Sequence, residues 1–430
     1  MRSIAAQVGN SLVVPQSGLT PQPDRPAGGR RTFRVGLVGC GAFARFSMAQ
    51  YSRLPDVSVG AVADIDASAA RRAAAELKTE SRAPGEILVA PDIDLVYIAT
   101  PPAMHHRQAA AALLAGRHVL VEKPLATTLA DAEELASLAA QRGLVCVANL
   151  VERYNPLAHA VGRLIDSRIL GDLVHGLFIN EAADEGLGRD HWFWNRDVSG
   201  GIFVEHGVHF FDLVASWLGQ GTVVSAARSV RPERGKAADD AGGHGPASER
   251  AAARAPSRTP VEEQVVCTCR YRCDASQPHA GVLVHFEHGF HQPSRIERQE
   301  MRLVFERGEL RLFDWVPTHG DVRALVDDDS IGVLESLLPA ASVRTIGRYE
   351  AEGRRVRGRF QDFEATELVE VTFGLGLDKL DLYGQVVRDL AADQIAWIHD
   401  PGHLRSLTEA DSVAAVAMAT AADRLALGGG

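Results

Sequence analysis

From Phe33 to Val147, short runs of Val, Ile and Leu alternate with Ala-rich stretches in which apolar residues recur at helical spacing. Strands without a polar side must be covered on both faces, and helices between them can cross back over a parallel sheet. The pattern predicts strands over Phe33–Val38, Val57–Ala63, Leu95–Thr100, His118–Val121 and Leu144–Val147. It predicts helices near Ala42–Leu54, Ser68–Leu77, Met104–Ala115 and Leu129–Arg142. The last has a cap residue, Thr128, three positions before Asp131, and a stop at Gly143, where the left-handed conformation costs least.

After Val151 the runs lengthen and alternate, predicting strands over Leu173–Ile179, Thr222–Val230, Val265–Tyr271, Gly281–Glu287, Met301–Phe305 and Glu309–Phe313. That is the pattern of a mostly antiparallel sheet with one open face. Two helices close the chain, near Asp378–Ile398 and Thr408–Leu427, the second with Thr408 and Asp411 placed as a cap pair. The expected organisation is α/β. A flexible extension (1–32) precedes a doubly wound parallel sheet (33–150), followed by an α+β domain (151–427) with a large, mostly antiparallel open sheet. The stretch 231–259, rich in Arg, Ala, Gly and Pro without periodicity, reads as a disordered insertion.

Composition narrows the function. At 430 residues with 46% hydrophobic content the chain can bury two cores, while a net charge of −10 argues against nucleic acid, whose binding rests on clustered cations. No apolar run approaches the ~20 residues of a membrane span. Five cysteines and no secretory signal lead to the expectation of free thiols in the cytoplasm. Cys267, Cys269 and Cys273 alternate along a strand as core residues do, and His285, His288 and His291 do not converge, so no metal is expected.

Gly39, Cys40, Gly41, Ala42, Phe43 and Ala44 follow the first strand and open the first helix. Small residues there let the backbone approach a pyrophosphate, and the free amides at the helix start face its charge. Asp64 ends the second strand about 20 residues on, where a carboxylate accepts from ribose hydroxyls and disfavours a 2′-phosphate. Arg71 and Arg72 on the next helix offset part of that repulsion. NAD is therefore expected over NADP.

Further on, Glu205, His209 and Asp212 stand at i, i+4 and i+7, on one face if the segment is an α-helix. A carboxylate there can orient His209 as a general base. His206 projects about 100° from Glu205 and is a candidate substrate contact. His191, Trp192 and Trp194 lie in an aromatic and polar loop suited to a sugar ring, or to anchoring the loop in the core.

Gly39–Ala44, Asp64, Thr100-Pro101-Pro102 with His105, Glu122-Lys123-Pro124, Arg153-Tyr154-Asn155-Pro156 and the run GGIFVEHGVHFFD from Gly200 to Asp212 resemble, in order, the glucose–fructose oxidoreductase/inositol dehydrogenase (Gfo/Idh/MocA) family. The resemblance covers most of Phe33–Leu427. It implies a Rossmann domain and NAD(P)-dependent oxidation of a secondary alcohol of a sugar, cyclitol or related polyol. Lys123, His209 and Glu205 would be catalytic. Thr100, Pro101, His105, Glu122 and Lys123 would join the glycine turn at the cofactor, and Arg153, Tyr154, His191, Trp192, His206 and Asp212 would contact substrate. Lys123 ends a parallel strand, where α/β sheets place their ligands. Glu205 stands where the family usually has Asp. Some relatives cleave glycosides by transient oxidation, and others bind the cofactor as regulators, normally without the lysine or histidine. A homo-oligomer through the open sheet is expected.

Overall fold

The computed structural model describes residues 32–184, 186–231, 260–272 and 281–429. The expected extension (1–32) and insertion (231–259) lie outside these residues except for Thr32 and Arg231, and so does Cys273. Five strands, β1 (Phe33–Val38), β2 (Val57–Ala63), β3 (Leu95–Ile98), β4 (His118–Val121) and β5 (Cys146–Ala148), pair in the order β2-β1-β3-β4-β5. Every pairing is parallel. The order reverses between β1 and β3, so the loops leaving these two strands diverge and open a crevice at their carboxyl ends.

Helices α1 (Ala42–Tyr51), α2 (Ala67–Glu76), α3 (Pro84–Val89), α4 (His105–Leu114) and α5 (Leu129–Arg142) connect the strands. Thr128 accepts from the Asp131 amide at 3.2 Å, and Gly143 closes α5 at φ 64°. The six-residue α3 has no predicted counterpart, because so short a helix shows no period.

The later strands are β6 (Leu173–Glu181), β7 (Thr222–Val230), β8 (Glu262–Tyr271), β9 (Val282–Gly289), β10 (Arg298–Phe305), β11 (Gly308–Phe313), β12 (His319–Val326), β13 (Ser342–Arg348), β14 (Arg355–Gly358), β15 (Gln361–Glu364) and β16 (Glu367–Gly374). Nine of them pair in the order β13-β16-β12-β11-β10-β6-β9-β8-β7, with β14-β15 a separate hairpin. Among the described residues only β6 and β9 run parallel in the large sheet. The strands from β12 onward have no counterpart in the predicted set.

One face of this sheet is apolar: Val284, Phe286, Phe178, Met301 and Leu303 are buried on it. The other carries cross-strand ion pairs, Arg311–Asp321 at 2.7 Å together with Arg302–Glu309 and Arg344–Glu370. Cys267, Cys269 and Tyr271 alternate as buried residues along β8, as packing requires.

Helices α6 (Pro156–Ser167), α7 (Val208–Leu218), α8 (Asp328–Leu337), α9 (Lys379–His399) and α10 (Glu409–Ala426) complete the fold. The α10 helix also blunts the edge of the first sheet. Its Glu409 and Ser412 accept the Cys146 and Ala148 amides of β5, each at 3.1 Å, where an unpaired edge would otherwise be exposed. Among the described residues no helix is long and apolar enough to cross a membrane.

Candidate active site

The crevice at the β1/β3 switch point forms one wall of a cleft of about 590 Å³. Gly39 turns the chain out of β1 at φ 96°, and a Cβ there would stand 2.4 Å from the Ala99 carbonyl oxygen, so no other residue fits without moving β3. Gly41 precedes α1, and nothing lies within 4 Å of where its Cβ would be. The start of α1 has no side-chain cap. Open space before an uncapped helix start suits a diphosphate, and Gly41, Ala42, Phe43 and Ala44 all line the cleft.

Asp64 holds the loop: its carboxylate accepts from the Cys40 amide at 2.7 Å and the Asp66 amide at 2.9 Å. Each oxygen keeps a further lone pair for a ribose hydroxyl. Beside it Ile65 is 98% exposed, an apolar side chain where a 2′-phosphate would need a cation. These residues fit NAD.

Thr100, Pro101, Glu122 and Lys123 continue the same wall. Glu122 is half-buried, and desolvation pushes its pKa up against the bonds it accepts from the Tyr97 hydroxyl, the Asn149 amide group at 2.9 Å and the Lys123 amide at 3.3 Å. His105 does not reach the cleft lining. Fully buried, its two ring nitrogens contact the Thr100 and Pro124 carbonyls at 2.7 Å each, so it ties the two cleft loops together from behind.

The opposite wall comes from the second sheet and from Phe203–Gly207, and here the structure corrects the expected helix face. Phe203–Gly207 is wound as a π-helix before α7 begins at Val208. The looser turn breaks the i, i+4, i+7 alignment, and the three side chains take different partners. The Lys123 ammonium donates to the Glu205 backbone carbonyl at 2.9 Å and also bonds the Glu205 carboxylate. Asp212 instead takes the Arg153 guanidinium at 2.8 and 2.9 Å, and Arg153 also reaches Asp411 at 3.0 Å. Neither carboxylate orients His209, whose Nδ1 is buried without a protein partner.

His209 lines the cleft with Lys123, Glu205 and His206. Burial, with smaller contributions from Lys123 and His288, drives its pKa well below the usual histidine range. It is therefore neutral at physiological pH.

Arg153, Tyr154 and Asp212, expected as substrate contacts, are engaged by the protein and absent from the cleft lining. The Tyr154 hydroxyl donates to Asp393 at 2.7 Å. His191 and Trp192 do line the cleft, whereas Trp194 is buried and donates to the Leu187 carbonyl at 3.4 Å. The loop thus divides its two tryptophans, one to the cleft and one to the core. Lining residues that sequence reasoning missed are Asn180, Phe290, Gln299, Trp315 and Tyr383. They come from strands, loops and, for Tyr383, helix α9, far apart in the chain, and only the tertiary fold brings them together.

Residues 33–150 match a family model described as "Oxidoreductase family, NAD-binding Rossmann fold", and residues 159–311 match the C-terminal domain model of the same family. The chain belongs to the Gfo/Idh/MocA family. Its Rossmann domain is the NAD-binding one of that family. A dTDP-3,4-didehydro-2,6-dideoxy-alpha-D-glucose 3-reductase of Streptomyces antibioticus is 35% identical over 191 residues, 43% of this chain and 57% of the relative. A glycosyl hydrolase family 109 protein of Streptomyces coelicolor is 30% identical over 204 residues, 43% of each chain. The matches thus span about half the length of these curated relatives. Among solved structures, a levoglucosan dehydrogenase in complex with NADH and levoglucosan superposes with a TM-score of 0.69 at 19% identity. It covers 93% of this chain and 98% of its own, a likeness of fold.

Proposed function

We propose that the chain is an NAD-dependent oxidoreductase that removes hydride from a secondary alcohol of a sugar, cyclitol or related polyol, or returns it to the corresponding ketone. The observation that carries this reading is that Lys123, from the Rossmann sheet, and His209, from α7, line one cleft together with the glycine turn. When bound, NAD supplies the hydride acceptor. His209, kept neutral by burial, takes the hydroxyl proton. Lys123, held between the Glu205 carbonyl and carboxylate, stabilises the developing alkoxide. Trp192, Phe193, Phe290 and Trp315 offer apolar surface to the ring and exclude water.

Purified protein incubated with NAD and a broad polyol panel should produce reduced nicotinamide, followed by absorbance. No reduction by any member would overturn the reading. The relative named as a glycosyl hydrolase supports a second one, in which oxidation is transient and a glycoside is cleaved. Release of sugar from a chromogenic glycoside without net absorbance change of the cofactor would identify that case.

A further inference from the structure

The inner face of the second sheet changes character in one step. Across β9, β6 and β10 the paired residues are Val284–Gly176–Leu303, then Phe286–Phe178–Met301, then His288–Asn180–Gln299. Residues in register on neighbouring strands point to the same side. Two apolar rows therefore end in a polar one, at the end of the sheet that meets the cleft.

That polar row is poorly served by the protein. Asn180 is 1% exposed, and neither its Oδ1 nor its Nδ2 has a protein partner. His288 is fully buried with both ring nitrogens unpartnered, stacked on Phe210 with centroids 5.2 Å apart. The His206 ring stands 5.3 Å from that of His288, and its buried Nε2 is also unpartnered. Asn180, Gln299 and His206 all line the cleft. Buried polar atoms without partners are costly, and so many on one wall mark a surface that a hydrogen-bonding ligand completes.

Charge on the same cleft limits what that ligand can be. Among the described lining residues Lys123 is the sole Lys or Arg, and it is bonded to Glu205, with Glu122 beside it. Arg231, over the Trp194 ring, is already held by Glu263 at 3.1 Å and the Phe290 carbonyl at 3.0 Å. Away from the α1 start, whose free amides suit the cofactor diphosphate, phosphate and carboxylate recognition relies on available guanidinium or ammonium groups, and an anion beside Lys123 would meet the Glu122 and Glu205 carboxyl groups instead.

We propose that Asn180 and Gln299, with His206, read the hydroxyls of a free, uncharged polyhydroxylated ring. The cleft then selects such a ring over its phosphorylated, carboxylated or nucleotide-linked forms. This rests on the oxidoreductase reading and narrows its substrate class, away from the dTDP-sugar named for the Streptomyces antibioticus relative. Asn180 and Gln299 are the specificity-determining pair. His288, behind them, packs edge-on against the His206 ring, 5.3 Å away.

The test is a matched panel: glucose, galactose, N-acetylglucosamine and myo-inositol, the three sugars also as 6-phosphates and UDP-linked forms, and glucuronate and galacturonate. Turnover with NAD and calorimetric binding to the NAD-loaded protein are both measured. At least one free neutral ring should be turned over with kcat/KM ten-fold or more above its charged counterparts. Asn180→Ala and Gln299→Ala should each cut that kcat/KM by roughly ten- to a hundred-fold, mostly through KM. NAD affinity, unchanged in both variants, checks that they fold. Preference for a charged or nucleotide-linked member, or full activity on a neutral ring in both variants, would overturn this inference and leave the oxidoreductase reading standing. Turnover of nothing would overturn both.

Discussion

Replacing Lys123 by Met removes the ammonium while keeping the length of the side chain, and it leaves the Glu205 carboxylate, 8% exposed, without its cation. Breaking a fully buried ion pair costs ~3–5 kcal/mol, chiefly because one charge is stranded. The Lys123 side chain is 19% exposed, so solvent screens part of that loss, and about 2–3 kcal/mol is expected. At ~2.1 cal/mol/K per residue, a chain of 430 residues shifts its midpoint by roughly 1 °C per kcal/mol. Urea unfolding is therefore the sharper assay. Lys123→Met/Glu205→Gln strands no charge and should recover to within about 1 kcal/mol of the parent, giving a coupling of about 2 kcal/mol in the double-mutant cycle. Both Lys123→Met proteins should bind NAD and turn over nothing, so stability returns while activity does not. Effects that add to within ~0.5 kcal/mol would refute the Lys123–Glu205 pairing.

Glu152 is 1% exposed with Oε1 unpartnered, and burial pushes its pKa to about 8. The folded state therefore holds a proton that the unfolded state has released above pH ~4.3, so stability falls as pH rises from about 4 to 8. Glu152→Gln removes that cost, and its advantage over the parent in urea midpoints should grow by about 4–5 kcal/mol across the window; an advantage independent of pH would contradict the buried carboxyl. Asp64→Asn keeps acceptors for the Cys40 and Asp66 amides but loses the charge, and calorimetry should show the preference for NAD over NADP narrowing about five- to ten-fold. Asp212→Ala strands Arg153, whose remaining partners are Asp411 and the Ser406 carbonyl. It should destabilise by ~3 kcal/mol with KM unchanged, whereas a direct substrate contact would raise KM.

The Rossmann half was readable because its signals are local. β3 is an unbroken run of buried apolar residues, β1 and β4 are interrupted only by the part-buried Arg34 and His118, and Thr128 and Gly143 punctuate α5 as local capping chemistry dictates. The second sheet was read only in part: β12 and β16 alternate buried apolar residues but lay outside the predicted strands. Edge strand β13 buries no side chain fully and gives no period to find. In the site, the residues on the glycine turn and the Glu122-Lys123-Pro124 strand end were legible, since each follows directly from a strand. The helix-face argument found His209 and Glu205 in the cleft but paired them wrongly. It assumed an α-helical repeat, and the π-helical turn at Phe203–Gly207 is not written in hydrophobic spacing. Asn180 and Gln299 escaped entirely, and His288 was weighed only as a metal ligand: each is one polar residue in an ordinary strand until register sets them side by side.

The central claim is that hydride passes between the carbinol carbon and the nicotinamide within the cleft that Lys123 and His209 line. It is tested most directly by placing deuterium on that carbon of a polyol the enzyme oxidises and locating the label by mass spectrometry. The account predicts deuterium in the reduced cofactor and none in the solvent, with transfer lost in Lys123→Met and His209→Gln while NAD still binds. Label retained in the product or released to water, or transfer that survives both substitutions, would contradict it.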